Sequence, residues 1–153
     1  MKPLLILYCG DEAGTTRQLI EAVCAGVVET EPALPLQVLP ALQAGPEALL
    51  DSSAVLFATP EKFGYMAGAL KDYFDRCFYP LEGRVSGHGY ALLVSAGNDG
   101  RGAVESVQRI VRGLGLKPLA EPLRIVGRPT PADLSCAREL GAALASGLVL
   151  GIF

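Results

Sequence analysis

Short apolar runs alternate along the chain with longer segments whose apolar residues recur at helical spacing. Unbroken apolar runs of this length are typical of strands that are covered on both faces of a sheet. They predict five strands, at residues 4–9, 36–39, 54–58, 90–94 and 122–126. The helical spacing predicts helices at residues 16–30, 46–50, 66–77 and 104–114, and a last helix that starts after Thr130.

Two of these helices carry sequence signals for their first turn. The segment Thr15-x-x-Gln18 has the residue types of a capping box, in which two side chains satisfy free backbone amides. Thr130, Pro131 and Asp133 form a second capping box with proline at the first helical position. We therefore expect side-chain caps at Thr15 and Thr130.

The strict alternation of strand and helix predicts an α/β fold with one parallel sheet and helices on both faces. Right-handed crossovers leave few other arrangements, and five strands suit the order 2-1-3-4-5. In that order, strand two is added on one side of strand one and strand three on the other. The strand order therefore reverses between strands one and three, and a ligand is expected beyond their carboxyl ends. We interpret residues 1–153 as a single domain, since no linker or repeat interrupts the pattern.

Composition and charge exclude several classes of function. The formal net charge is -3, and no basic stripe is present, which argues against a nucleic-acid partner. Four scattered cysteines and one histidine match no metal-site spacing, and they favour a reducing, cytoplasmic location. No uncharged apolar run reaches the roughly 18 residues of a membrane span. The apolar residues 148–153 are expected to pack on the sheet or to form a contact in a homo-oligomer.

The segment that follows the third predicted strand is the most informative part of the chain. Proline stiffens its turn, glycine lets backbone approach a planar ligand, and two aromatic residues offer a flat surface. The residues that carry this pattern into the next helix are Thr59, Pro60, Phe63, Gly64, Tyr65, Met66, Leu70, Lys71, Asp75 and Arg76. The stretch resembles the corresponding loop and helix of flavodoxin-like NAD(P)H:quinone oxidoreductases and of the related NADPH-dependent FMN reductases.

This resemblance implies a flavodoxin-like three-layer sandwich with FMN at the carboxyl edge of the sheet. In those families, backbone amides of this loop bind the pyrimidine edge of the flavin, and loop side chains pack on the ring. By resemblance, Thr59, Pro60, Phe63, Gly64 and Tyr65 would take these roles here. Lys62 matches a basic position of the family, and it would stabilise a negatively charged reduced flavin.

A glycine-rich segment follows the fourth predicted strand. Its start, Ser95-Ala96-Gly97, is similar to the segment that these families place against the flavin ring. Glycines let backbone amides line a pocket without obstruction by side chains. Ser95, Ala96, Gly97 and Asn98 are therefore expected to contact the far side of the ring, although Asn98 departs from the residues of many relatives.

The segment after the first strand matches the family's phosphate loop in part. Gly14, Thr15 and Thr16 agree with it, and they would hold the FMN phosphate with hydroxyls and helix amides. Asp11 replaces the first hydroxyl residue of the pattern. A carboxylate within about 4 Å of a phosphate costs several kcal/mol at an effective dielectric near 20, whereas the helix dipole returns only about 0.3–1 kcal/mol. Arg17 would offset part of the difference.

The implied function is electron transfer from NADH or NADPH, through FMN, to a quinone or another acceptor. No side-chain acid, base or nucleophile is needed for it, because the flavin carries the chemistry. Two alternatives remain open: a flavodoxin-type electron carrier, and a binding module of this fold whose FMN affinity is weak or lost. A phospho-receiver domain shares the topology, but here strand three ends without an aspartate and no lysine follows Val126.

Replacing Asp11 by serine should tighten FMN binding, because the substitution removes a negative charge beside the expected phosphate. We expect the dissociation constant to fall roughly tenfold or more, which corresponds to about 1.4 kcal/mol. Quenching of flavin fluorescence on titration measures it. An unchanged or higher dissociation constant would contradict the repulsion argument.

Overall fold

The computed structural model describes residues 1–10 and 14–153, and Asp11 lies outside this part of the chain. Its strands are β1 (Leu4–Tyr8), β2 (Leu36–Pro40), β3 (Ala54–Lys62), β4 (Tyr65–Met66), β5 (Gly89–Ala96), β6 (Lys117–Pro118) and β7 (Leu123–Val126). Its helices are α1 (Thr15–Thr30), α2 (Pro46–Leu50), α3 (Gly68–Leu81), α4 (Arg101–Leu114) and α5 (Pro131–Val149), with a short 3₁₀ turn at Ala41–Gln43.

The central sheet is parallel and has the order β2-β1-β3-β5, with β6 and β7 both paired to β5 at the far edge. The predicted flavodoxin-like order 2-1-3-4-5 is thereby confirmed. The expected fifth strand is divided into β6 and β7, because four residues, 119–122, lie between them where β5 has only two, Ala91 and Leu92. Pro122 lies in this interruption, where its missing amide breaks no pairing.

Successive residues of the inner strands supply two separate cores. Leu5, Leu7, Val55 and Phe57 pack with helices α2, α3 and α4 on one face of the sheet. Leu4, Ile6, Ala54 and Leu56 pack with α1 and α5 on the other face. This arrangement explains the unbroken apolar runs, since every side chain of a doubly covered strand is buried.

The structure decides between the two predicted capping boxes. The Thr130 hydroxyl accepts a hydrogen bond from the Asp133 amide, and the Asp133 carboxylate accepts one from the Thr130 amide, as predicted. The prediction at Thr15 is wrong, because Gly14 is the N-cap of α1 and Thr15 is already inside the helix. Glycine offers no side-chain acceptor, so Gly14 itself gives the first-turn amides of α1 no side-chain cap.

The predicted loop after the third strand is a β-hairpin instead. Strand β3 continues to Lys62 and pairs antiparallel with β4, where Glu61 faces Met66 and Lys62 faces Tyr65. At the chain's other end, Leu150 and Ile152 are exposed, and the Phe153 ring lies against Gly147 of α5. In the described part of the chain, no helix is long and apolar enough to cross a membrane.

Helices α1 and α5 approach so closely that glycine is required at their contact. A Cβ atom on Gly141 would lie 2.1 Å from the Val23 carbonyl oxygen, and one on Gly26 would lie 1.9 Å from the Arg138 carbonyl oxygen. Both of these neighbours are backbone atoms, which cannot rotate away. The two helices therefore pack backbone against backbone across the face of the sheet.

We expect Gly141→Ala to destabilise the protein by about 1–3 kcal/mol, the usual cost of forcing extra volume into a packed contact. Chemical denaturation followed by circular dichroism measures the free energy of unfolding. Gly68→Ala is the matched control, because Gly68 is also helical and a Cβ atom added there would have no neighbour within 4 Å. Equal losses in the two variants would contradict this account of the contact.

Candidate functional site

A cavity of about 480 Å³ lies at the carboxyl ends of β1, β3 and β5. Its size is typical of sites for small molecules and cofactors. The position agrees with the prediction that a ligand sits where strands one and three diverge. It also follows from parallel pairing, because strands that run the same way deliver their following loops to one edge.

Eight of the predicted site residues line this cavity: Gly14, Thr15, Thr16, Pro60, Lys62, Ser95, Ala96 and Gly97. Five others do not line it. Thr59 is fully buried beneath the hairpin, Phe63, Gly64 and Tyr65 form the outer part of the hairpin, and Asn98 is exposed beyond the cavity wall. The structure therefore brings the three predicted segments together through a subset of their residues.

Six lining residues were missed by the sequence reasoning: Cys9, Gly10, Glu61, Ala67, Ala69 and Gly127. Cys9 and Gly10 end the first predicted strand, which was itself a signal for the ligand edge. Gly127 follows the last strand at the same edge, so topology would have found it. Nothing in the local sequence marks Ala67 and Ala69, whose exposure to the cavity depends on how α3 begins.

The start of helix α1 contributes hydrogen-bond donors to the cavity. Gly14, Thr15 and Thr16 line it, the N-cap residue Gly14 has no side chain to cap the helix, and the first turn itself contains no acidic residue. First-turn amides together with the positive end of the helix dipole favour a bound anion. This end of the cavity therefore suits a phosphate group.

A buried hydroxyl pair ties this helix to the middle of the sheet. The Thr16 and Ser95 hydroxyl oxygens are 2.7 Å apart, and both residues are buried. The pair joins the start of α1 to the end of β5, which are 79 positions apart in sequence. It therefore fixes the distance between the segment that follows β1 and the glycine-rich segment that follows β5.

Gly10 leaves space that a side chain would occupy. Its φ is +115°, and a Cβ there would lie 3.5 Å from the Thr16 hydroxyl oxygen and 3.9 Å from Pro60 Cδ. Both Thr16 and Pro60 line the cavity, so the added atom would stand between its two walls. The residues present thus form a cradle with backbone at its floor, which fits a ligand such as FMN.

The hairpin places Pro60, Glu61 and Lys62 along one wall. Its turn residues Phe63 and Gly64 both have positive φ, 53° and 71°, as two-residue hairpin turns with right-handed strand twist require. The Phe63 side chain is fully exposed, so it covers no part of the core. Phe63 and Tyr65 therefore lie at the outer end of the site and do not form its wall.

Thr59 supports the hairpin from below. Its buried hydroxyl accepts a hydrogen bond from the Ala67 amide at 2.9 Å and donates one to the Pro60 carbonyl oxygen at 2.8 Å. Both ends of the hairpin are thus bonded to one side chain. This is the structural role of a residue that the sequence pattern assigned to the ligand.

Helix α4 fastens the hairpin from the side. The Met66 amide donates to the Ser106 hydroxyl at 3.0 Å, and the Ala103 amide donates to the Glu61 carboxylate at 3.3 Å. A Cβ on Gly102 would lie 2.0 Å from the Gly64 carbonyl oxygen, so the turn packs directly on the helix backbone. Three contacts therefore prevent the hairpin from moving independently of α4.

Cys9 brings a thiol to the cavity, but the thiol is not activated. Burial raises the pKa of Cys9 to about 11, and a hydrogen bond with Thr59 opposes this only in part. The thiol is therefore protonated at neutral pH, and it is a weak nucleophile. Within residues 1–10 and 14–153, no three His, Cys, Asp or Glu residues gather as a metal site would require.

Ser106→Ala should loosen the hairpin, because the substitution leaves the buried Met66 amide without its acceptor. We expect a loss of about 1–3 kcal/mol in unfolding free energy and faster amide hydrogen exchange at residues 61–67. Ser135→Ala serves as the control, since Ser135 is an exposed helical serine. Unchanged exchange in the hairpin of the Ser106 variant would show that this bond does not hold it.

Comparisons with known proteins agree with this geometry. The family model for NADPH-dependent FMN reductase matches residues 17–127, more than half of the chain. No curated protein sequence matches the chain.

Three solved structures with similar folds are all below 25% identity, so their likeness shows the fold alone. An archaeal flavodoxin has 20% identity and a TM-score of 0.82, and the match covers 96% of this chain and 99% of that protein. The Flv1 flavodiiron core from Synechocystis sp. PCC6803 has 18% identity and a TM-score of 0.83, over 98% of this chain and 36% of that one. A flavodoxin of Streptococcus pneumonia TIGR4 has 16% identity and a TM-score of 0.78, over 94% and 97%.

The family match begins at Arg17, just after the start of α1, and continues through the hairpin, α3, β5 and α4 to the end of β7. It includes nine of the fourteen residues that line the cavity. Three features of the cavity fit FMN, the cofactor of this family. They are the start of α1, which suits a phosphate, the space left by Gly10, and the hairpin wall. The chain therefore belongs to the NADPH-dependent FMN reductase family, and it is a flavodoxin-like protein that binds FMN.

Proposed function

We propose that the protein is an FMN-dependent oxidoreductase that takes electrons from NADH or NADPH and passes them to a quinone or another acceptor. The observation that carries this proposal is the cavity itself, which joins an anion-suited helix start to two walls of backbone and small side chains. Such a site holds a phosphate at one end and a flat ring beside the other. Bound FMN would supply the hydride and electron chemistry.

The residues of the chain divide the binding task by position. Gly14, Thr15 and Thr16 would hold the phosphate with amides and hydroxyls. Pro60, Glu61 and Lys62 would border one side of the ring, and Ser95, Ala96 and Gly97 would border the other. A Cβ atom added to Gly97 would have no neighbour within 4 Å, so the backbone there is open toward the cavity.

Two adjacent side chains set the charge beside the ring. The Lys62 ammonium favours negative charge in the cavity, and it is exposed at the cavity wall. The neighbouring Glu61 carboxylate has the opposite effect, but it accepts a hydrogen bond from the Ala103 amide at the start of α4. The helix end compensates part of its charge, so Lys62 is the more effective of the two.

The hairpin tip would border the open side of the site, where an electron donor or acceptor enters. Phe63 is fully exposed there, and Tyr65 is 40% exposed. Exposed aromatic side chains at a site entrance favour flat partners such as nicotinamides and quinones.

The four cysteines are free, which supports a reducing compartment such as the cytoplasm.

Titration of purified protein with FMN, followed by anaerobic mixing with NADPH or NADH, tests the proposal. We expect quenching of flavin fluorescence on binding, and then loss of the yellow absorbance within the turnover time. Absence of quenching would contradict FMN binding at this cavity. Binding without reduction by either nucleotide would favour the flavodoxin-type carrier, whose flavin stays oxidised until a protein partner arrives.

Thr15→Val tests the phosphate end of the site separately. Loss of one hydrogen bond to a charged group costs about 1.5–3 kcal/mol, so the dissociation constant for FMN should rise roughly tenfold to a hundredfold. Riboflavin lacks the phosphate and provides the control within the same experiment. If the substitution weakens both flavins equally, Thr15 does not contact the phosphate.

A further inference from the structure

Two buried hydroxyl groups meet between the phosphate end of the cavity and its β5 wall. The Thr16 and Ser95 hydroxyl oxygens are 2.7 Å apart, and the two residues are only 4% and 5% exposed. Both residues line the cavity. Each hydroxyl has one proton and can also accept, so one proton lies between the oxygens and the accepting hydroxyl points its own proton elsewhere. The direction of this hydrogen bond therefore decides which of the two side chains can donate to a ligand.

The sheet fixes the position of Ser95. It faces Pro60 of β3 on one side and Ile125 of β7 on the other, so its backbone is held by pairing on both sides. Among the residues that the structure describes, Thr16 is the only hydrogen-bond partner of the Ser95 hydroxyl. Ser95 thus offers Thr16 a partner whose position does not depend on a ligand.

Thr16 carries its hydroxyl at the start of α1, beside the space that Gly10 leaves open. A Cβ atom added to Gly10 would lie 3.5 Å from the Thr16 hydroxyl oxygen, which is an ordinary contact distance. Gly14 and Thr15 precede Thr16 at the same helix start, and they also line the cavity. An atom of a ligand that occupies this space can therefore contact the Thr16 hydroxyl at the end of the cavity that suits a phosphate.

The oxygens of a phosphate dianion only accept hydrogen bonds. Facing them, Thr16 must donate its proton, and it then has no proton left for Ser95. Ser95 has to donate to Thr16 instead, which gives two hydrogen bonds in one direction, from Ser95 to Thr16 and from Thr16 to the phosphate. Hydrogen bonds in such a chain strengthen each other, and they are stronger where water is excluded. In the opposite direction, the Thr16 oxygen would present only lone pairs to the phosphate.

We propose that Ser95 is a positioning residue for the FMN phosphate. It donates its proton to the Thr16 hydroxyl and thereby directs the Thr16 proton toward the phosphate. This inference rests on the FMN site of the proposed function and not on the identity of the electron donor or acceptor. It gives Ser95 a task at the phosphate in addition to its place on the ring side of the cavity, so that affinity for the phosphate depends on β5 as well as on α1.

The dissociation constants of FMN and riboflavin test this role, because riboflavin lacks the phosphate. We expect Ser95→Ala to raise the dissociation constant of FMN roughly threefold to tenfold, as the loss of one hydrogen bond does, and to leave that of riboflavin unchanged. Thr16→Val keeps the shape of the side chain and removes the hydroxyl, so it should weaken FMN at least as much. Quenching of flavin fluorescence measures both constants. An equal loss for the two flavins in the Ser95 variant would assign Ser95 to the ring alone and overturn the inference.

A double-mutant cycle shows whether Ser95 acts through Thr16. In the Thr16→Val background, Ser95→Ala should change the dissociation constant of FMN less than about twofold, because the hydroxyl that Ser95 orients is gone. In the Thr16→Ser background a hydroxyl remains, so Ser95→Ala should again weaken FMN roughly threefold to tenfold. Losses of the same size in the two backgrounds would mean that Ser95 acts independently of Thr16, which contradicts the proposed chain.

Ser52→Ala is the matched control for the loss of a buried hydroxyl. Ser52 is 3% exposed, and its hydroxyl donates to the Leu49 carbonyl oxygen at 2.8 Å and lies 3.1 Å from His88 Nε2. It precedes β3 at the amino edge of the sheet and does not line the cavity. We expect a lower free energy of unfolding and unchanged dissociation constants for both flavins. A loss of FMN affinity as large as that of the Ser95 variant would attribute the effect to reduced stability and overturn the inference.

Failure of the proposed function gives different results. FMN that binds but is not reduced by NADPH or NADH counts against that function, and it leaves the expected differences between FMN and riboflavin intact. If the unmodified protein binds FMN no more tightly than riboflavin, the phosphate contributes nothing to binding, and the positioning role of Ser95 is overturned.

Discussion

Parallel pairing of β1, β3 and β5 is the constraint on which the site depends. Because the three strands run the same way, the segments that follow them all emerge at one edge. The same pairing requires helices on both faces, so the strands are apolar throughout and leave polar chemistry to their ends. A cavity bordered by backbone and small side chains at that edge is the direct result.

Much of the fold can be predicted from the sequence, because strands that are buried on both faces appear as unbroken apolar runs. The apolar runs at residues 4–9 and 54–58 and the helical spacing at residues 16–30 each lead to the observed element within a few positions. The hairpin and the divided last strand were missed for a different reason. Strand β4 has two residues and β6 has two, and such short strands exist through tertiary pairing and have no periodicity of their own.

The site was predictable at the level of segments and not of individual side chains. All three predicted segments meet at the cavity, yet Thr59 is buried beneath the hairpin and Phe63 is exposed at its tip, so neither side chain lines the cavity. Thr59 bonds both ends of the hairpin, and that role requires the Ala67 amide to come back beside it in space.

The attachment of the hairpin to α4 uses backbone groups and two buried or partly buried side chains, and the tip residue takes no part in it. The Phe63 side chain therefore adds no packing to the fold, and the turn depends on this position only through the positive φ of its backbone. A different side chain there would change the surface beside the cavity without changing the contacts that hold the hairpin to α4. The tip side chain and the groups that attach the hairpin to α4 thus belong to different residues of one short segment.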